Sequence, residues 1–140
     1  MGIKFPSPEW TSAFKDAINA NAAYASAGKE WTHGKVAYVV KARPAAGIET
    51  DRAMVLDLHQ GRCREASLVS YEEAKSADFV IVAELERWIE VLSGKVDPTK
   101  AMMQNHLKLE KGHLPTIVKF VVASKELVRS ASTIDSIFPV

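Results

Sequence analysis

A single cysteine, Cys63, in 140 residues leaves no intramolecular disulfide to be made, which fits a reducing compartment. No run approaches the ~18 apolar residues that a membrane span requires. The opening Met1-Gly-Ile-Lys-Phe-Pro6 has no apolar stretch of signal-peptide length. A cytoplasmic location is the expectation. An excess of one charge is missing as well: 18 Lys and Arg stand against 17 Asp and Glu. That balance excludes nucleic acid as a partner and leaves an anionic membrane, at most, a transient contact.

Chemistry-bearing clusters are just as scarce. His33, His59, His106 and His113 form no His-x-x-x-His pair and no close group with Cys63, so neither a metal site nor a cofactor is expected. The glycines are dispersed as helix stops and turns rather than gathered into a phosphate-binding loop. Glu84, Glu86 and Glu90 lie together, but the start of a helix attracts carboxylates through its dipole alone. Arg62 and Arg64 flank Cys63, yet strand alternation puts both on the face opposite the thiol. Trp10, Trp31 and Trp88 are too scattered for a base-stacking platform. No catalytic residue is assigned.

What remains is 47% hydrophobic and 25% charged, an ordinary globular composition whose length suits one domain over residues 1–140 with a core of its own. Ser7-Pro8-Glu9 reads as cap, first helical residue and acidic first turn, followed by Trp10, Phe14, Ala17 and Ile18 at helical spacing. Asn21 is placed to cap a second short helix closed by Gly28. Three strands follow, over 36–42, 53–59 and 62–69, the second alternating Met54, Leu56 and Leu58 against Val55, Asp57 and His59. The polar 71–76 segment has room for one helical turn. Phe79-Val-Ile-Val-Ala83 is apolar on both faces and should be covered on both sides. A helix bearing Trp88 and Leu92 stops at Gly94; Asp97-Pro98 restarts one bearing Met102 and Met103. A last strand turns Leu107 and Leu109 inward, and a long helix is expected from Leu114 to Ile134. Strand runs kept apart from helix runs argue for an α+β fold with a mainly antiparallel sheet.

The closing helix carries more apolar residue than one packed face needs. Ile117, Phe120, Val121, Ser124, Leu127, Val128 and Ala131 make one stripe, while Leu114, Val118 and Val122 lie outside it. The surplus reads either as packing beneath a neighbouring segment or as a second apolar surface, lining a cavity or an oligomer contact. The Met102-Met103 pair suits a wall that adapts to varied ligand shapes, and equally suits ordinary core filling.

The order and spacing of several segments resemble the sterol carrier protein type 2 domain, in its short stand-alone prokaryotic form. They are Phe5-Pro-Ser-Pro-Glu-Trp10, Trp31, Leu56-Asp-Leu-His-Gln-Gly61, Ala77-Asp-Phe79, Trp88-Ile-Glu-Val-Leu-Ser-Gly94, Asp97-Pro-Thr-Lys-Ala-Met-Met-Gln104 and Leu107-Lys-Leu-Glu-Lys-Gly112. The resemblance implies a five-stranded sheet covered by helices and enclosing a hydrophobic tunnel for a fatty acid, fatty acyl-CoA or sterol-like ligand. By position it implies a lining of Phe79, Ile81, Trp88, Leu92, Met102, Met103, Leu107, Leu109, Ile117, Phe120 and Val121. It brings no catalytic motif. The peroxisomal tail of eukaryotic members is not present in Ile137-Phe-Pro-Val140. The expectation is therefore a non-catalytic lipid carrier, monomer or homodimer. The alternatives are an accessory or dimerisation module using the same apolar surface, and a small enzyme using His59, Asp57 or a glutamate near Trp88.

Overall fold

Residues 2–139 are described in a computed structural model. Ser7 starts the first long helix, α1 (Pro8–Asn19), by accepting a hydrogen bond from the Trp10 amide at 3.0 Å. Its buried stripe is Trp10, Thr11, Phe14 and Ile18. Asn21 then does two jobs. Its Oδ1 accepts from the amides of Ala23 and Tyr24, capping α2 (Ala22–Ala27). Its Nδ2 donates to Ser130 Oγ at 3.0 Å, tying that cap to the last helix.

The five-stranded sheet runs in the order β4 (Arg62–Ser70), β3 (Arg52–His59), β2 (Lys35–Val40), β5 (Phe79–Ala83), β6 (Lys108–Lys111). Only β2 and β5 are parallel; the other three pairings are antiparallel, so the mainly antiparallel α+β architecture holds. All five residues of β5 are buried, because the sheet is covered on both sides there. On one side Ala37, Val39, Ala53, Val80 and Val82 are small enough for the single turn α3 (Tyr71–Ala74) to sit close. On the other, Val36, Tyr38, Val40, Met54, Leu56, Leu58, Phe79 and Ile81 join the main core. That core is completed by α1, α2, α4 (Leu85–Leu92), α5 (Pro98–Met103), α6 (Leu114–Lys119) and α7 (Val121–Ser132).

Two differences from the sequence reading matter. The helix expected over 114–134 is broken: Phe120, at φ −102° and ψ 34°, leaves helical geometry and separates α6 from α7. The Phe120 ring turns inward against Trp31, with centroids 5.0 Å apart. The first strand also ends two residues early, because the Ala42 amide donates to Asp51 Oδ1 instead of to a neighbouring strand. A feature with no sequence signal is the two-residue parallel pairing of β1 (Ile3–Lys4) with β7 (Ser136–Ile137). Trp10 Nε1 fastens it by donating to Ser136 Oγ at 2.7 Å.

Asn21→Ala removes the α2 cap and the bond to α7 together. It is expected to lower stability by about 1–2 kcal/mol, read from urea unfolding. A loss of only a few tenths would contradict the double role.

Candidate functional site

Between the main face of the sheet and the helices over it lies an apolar cavity. The floor is Val36 and Tyr38 of β2, Ile81 of β5 and Leu58 of β3. The pairing of Tyr38 with Ile81 sets these two side by side. Tyr24, Trp31, Trp88, Val91 and Leu107 form the sides. Pro98 and Met102 of α5, Ile117 of α6, Phe120, and Ala123, Ser124, Leu127 and Val128 of α7 make the roof. Pro98 and Val128 also border an outer cleft of about 350 Å³ with Asp97, Lys125 and Arg129, so they form the thin partition between cavity and solvent.

The polarity of this space follows from what its side chains do elsewhere. Trp88 Nε1 donates to Val39 O at 2.8 Å and Trp31 Nε1 to Gly34 O at 3.0 Å, so the indole N–H groups are already engaged. Trp88 stacks on Tyr38 with centroids 4.9 Å apart. Only Tyr24, Tyr38 and Ser124 bring side-chain oxygens to the lining. Burial pushes the Tyr38 phenol far above its usual range and, aided by Tyr38 and Cys63, does the same to Tyr24. Both are therefore neutral hydrogen-bonding groups. The side chains leave about 30 Å³ of free volume, room for one water.

Of the residues expected in the lining, Ile81, Trp88, Met102, Leu107, Ile117 and Phe120 border this cavity. The other five are placed elsewhere. Phe79 lies behind Trp31, centroids 5.2 Å apart, and under Gly112, where a Cβ would come within 2.4 Å of its ring. Leu92 is buried but one turn past the wall, where Trp88 and Val91 hold the face of α4. Leu109 is half-buried on the edge strand, and Val121 is half-buried at the first turn of α7 after the break at Phe120. Met103 is 69% exposed, since α5 is a single amphipathic turn and a half that turns Met102 inward. The residues missed were legible in part: Val36, Tyr38 and Leu58 share the inward phase of their strands, and Ser124, Leu127 and Val128 belong to the expected helical stripe.

Among the described residues no set of three His, Cys, Asp or Glu side chains is placed to hold a metal. Cys63 is buried, and desolvation pushes its thiol up to about 11 despite the nearby Lys15. Asn19 brackets its backbone with two hydrogen bonds of 2.8 and 2.9 Å. No helix among the described residues is long and apolar enough to cross a membrane.

Residues 14–120 match the SCP-2 sterol transfer family, and the chain belongs to it. The family and its fold are associated with lipid binding and transfer, and the domain is generally a non-catalytic lipid carrier. A crystal structure of sterol carrier protein 2 is 38% identical, with 91% of this chain and 97% of that one covered and a TM-score of 0.85. The solution structure of a conserved hypothetical protein from Thermus thermophilus, suggested to be a sterol carrier protein, is 37% identical over 96% of this chain and 92% of that one, TM-score 0.87. A palmitated sterol-carrier-like protein from Aedes aegypti shares the fold at 14% identity, TM-score 0.52, with 81% and 92% covered. No curated protein matches the chain significantly.

Raised Tyr24, Tyr38 and Cys63 pKa values have a signed consequence. Between about pH 9 and 11 the unfolded chain releases these protons while the folded one keeps them, so stability falls as pH rises. Urea midpoints should drop across that window, and less so in Tyr38→Phe. A flat profile would contradict the burial of these groups.

Proposed function

We propose that the chain is a non-catalytic cytoplasmic carrier, residues 1–140 acting as one unit, that encloses the apolar part of a fatty acid, fatty acyl-CoA or sterol-like lipid. The observation that carries this reading is the lining itself, with only three side-chain oxygens among its seventeen residues. Family membership supports it, as does the palmitated state of the Aedes aegypti protein of the same fold. Such a wall offers an alkyl chain dispersion and burial, and offers no group that attacks a bond. Tyr24, Tyr38 and Ser124 are the side chains in this wall that could meet a hydroxyl or carbonyl of the guest.

The free volume of about 30 Å³ is an order of magnitude below the roughly 300 Å³ at which ligand pockets begin. The guest therefore displaces wall. The sheet is the rigid side, being hydrogen-bonded strand to strand. The roof is the soft side: α5 and α6 have six residues each, well short of the ~12 that hold a helix by itself. The break at Phe120 lets α6 move without α7. Burial contributes about 0.8 kcal/mol per methylene, so a sixteen-carbon chain offers on the order of 12 kcal/mol before association and opening are subtracted. Micromolar binding, about 8 kcal/mol, lies within that range.

Trp31 and Trp88 both border the cavity and report on filling. Titration with palmitate is expected to shift their fluorescence with micromolar affinity. Ala123→Phe sets a ring against the roof in the space the guest would take. It should weaken binding by about tenfold or more and lower stability by about 1–3 kcal/mol, since the free volume is too small to hold the ring, with the fold retained by circular dichroism. Protein that carries no lipid by native mass spectrometry and shows no response to palmitate would end this reading.

A further inference from the structure

Five large apolar side chains are left exposed among the described residues, and four of them sit on the helices over the cavity: Met103, Leu114, Val118 and Val122. Leu114 and Val118 are one turn apart on α6, and Val122 follows at the same spacing on the first turn of α7. They face away from Ile117 and Phe120, which border the cavity. Met103 is the outward neighbour of Met102. These side chains thus form the outer surface of the same soft roof whose inner surface lines the cavity.

The nearly balanced charge of the whole chain hides a local excess here. Residues 98–125 contain Lys100, Lys108, Lys111, Lys119 and Lys125, with Glu110 as the one acid. Glu110 is turned away, accepting from the Tyr71 hydroxyl near α3. Lys111 is drawn the same way, its Nζ donating to Lys75 O at 3.0 Å. Lys125 pairs with Asp97 at 3.4 Å. Lys100 and Lys119 are exposed and enter no ion pair among the described residues.

We propose that the outer face of α5, α6 and the start of α7 docks onto a bilayer containing anionic lipid. Met103, Leu114, Val118 and Val122 enter the interface, and Lys100 and Lys119 meet the headgroups. Exposed aliphatic side chains bordered by lysine are the pattern of a helix that lies in a membrane surface. The charge decides against a second copy as the occupant, because a two-fold contact through this face would set lysine against lysine. Docking here places the movable roof in the hydrocarbon boundary, so a guest passes between bilayer and cavity without crossing water. That purpose rests on the carrier reading; the docking itself does not.

The test is flotation of the intact protein with vesicles of phosphatidylcholine alone and with about a third phosphatidylglycerol. Wild type is expected to float with the anionic vesicles and to be released by salt near 0.5 M, where the Debye length falls to roughly 4 Å. Val118→Asp with Val122→Asp, and separately Lys100→Glu with Lys119→Glu, should each weaken flotation about tenfold or more. Both pairs are exposed, so unfolding midpoints should hold, and charge reversal at the exposed Lys4 should change nothing. Palmitate binding without vesicles, measured on the same proteins, separates the two claims: wild type that floats but binds no palmitate keeps the docking face and removes the carrier. Wild type that stays in solution with anionic vesicles, paired variants that float like wild type, or a dimer that Val122→Asp dissociates in sedimentation would each overturn the proposal.

Discussion

Everything in this molecule hangs on how the large side chains of one sheet face meet their cover. Tyr38 and Ile81, side by side on the two parallel strands, and Trp88, stacked on Tyr38, make a floor of rigid aromatic and branched groups. The opposite face of the same strands carries alanine and valine and is closed by one helical turn. The bulk is therefore all on one side, and the helices over it are held at a distance by it. Where they are long, as in α1 and α7, they pack firmly; where they are six residues long, as in α5 and α6, they lean on α7 and have few hydrogen bonds of their own.

That asymmetry links stability to function. A cavity closed by short helices over an apolar floor is stable when empty, because its walls collapse onto one another. Few side-chain hydrogen bonds tie α5 and α6 to the rest of the chain, so the proposed opening breaks few of them. The long-range side-chain hydrogen bonds are concentrated away from α5 and α6: Asn21 to the last turn of α7, Trp10 to the terminal strand pair, Asn19 to the Cys63 backbone. A carrier needs a firm body and a loose side, and the polar contacts are distributed in that way.

Much of the fold was legible because its signals are local. The caps expected at Ser7 and Asn21 accept their amide bonds, Asp97 at the expected restart caps α5, and the alternation on β3 buries Met54, Leu56 and Leu58 as its pattern requires. The doubly covered strand 79–83 reads directly from five apolar residues in a row. The break at Phe120 was not legible, since no proline or glycine marks it and its cause is a ring drawn toward Trp31, far away in the chain. For the lining, periodicity fixes which face points inward but not how far along an element the cavity reaches. Hence Phe79 and Leu92 lie beyond its ends, while Met103 fell to the wrong side of a short helix whose phase two adjacent methionines leave open.

In the proposed carrier the roof is the part that yields to a guest. Amide hydrogen exchange followed by mass spectrometry, with and without palmitate, tests that directly. The expected result is fast exchange over residues 98–120 in the free protein and marked slowing there on addition of palmitate, with β2 and β5 unchanged. Exchange over 98–120 that is as slow as in the sheet, or that palmitate leaves untouched, would contradict it.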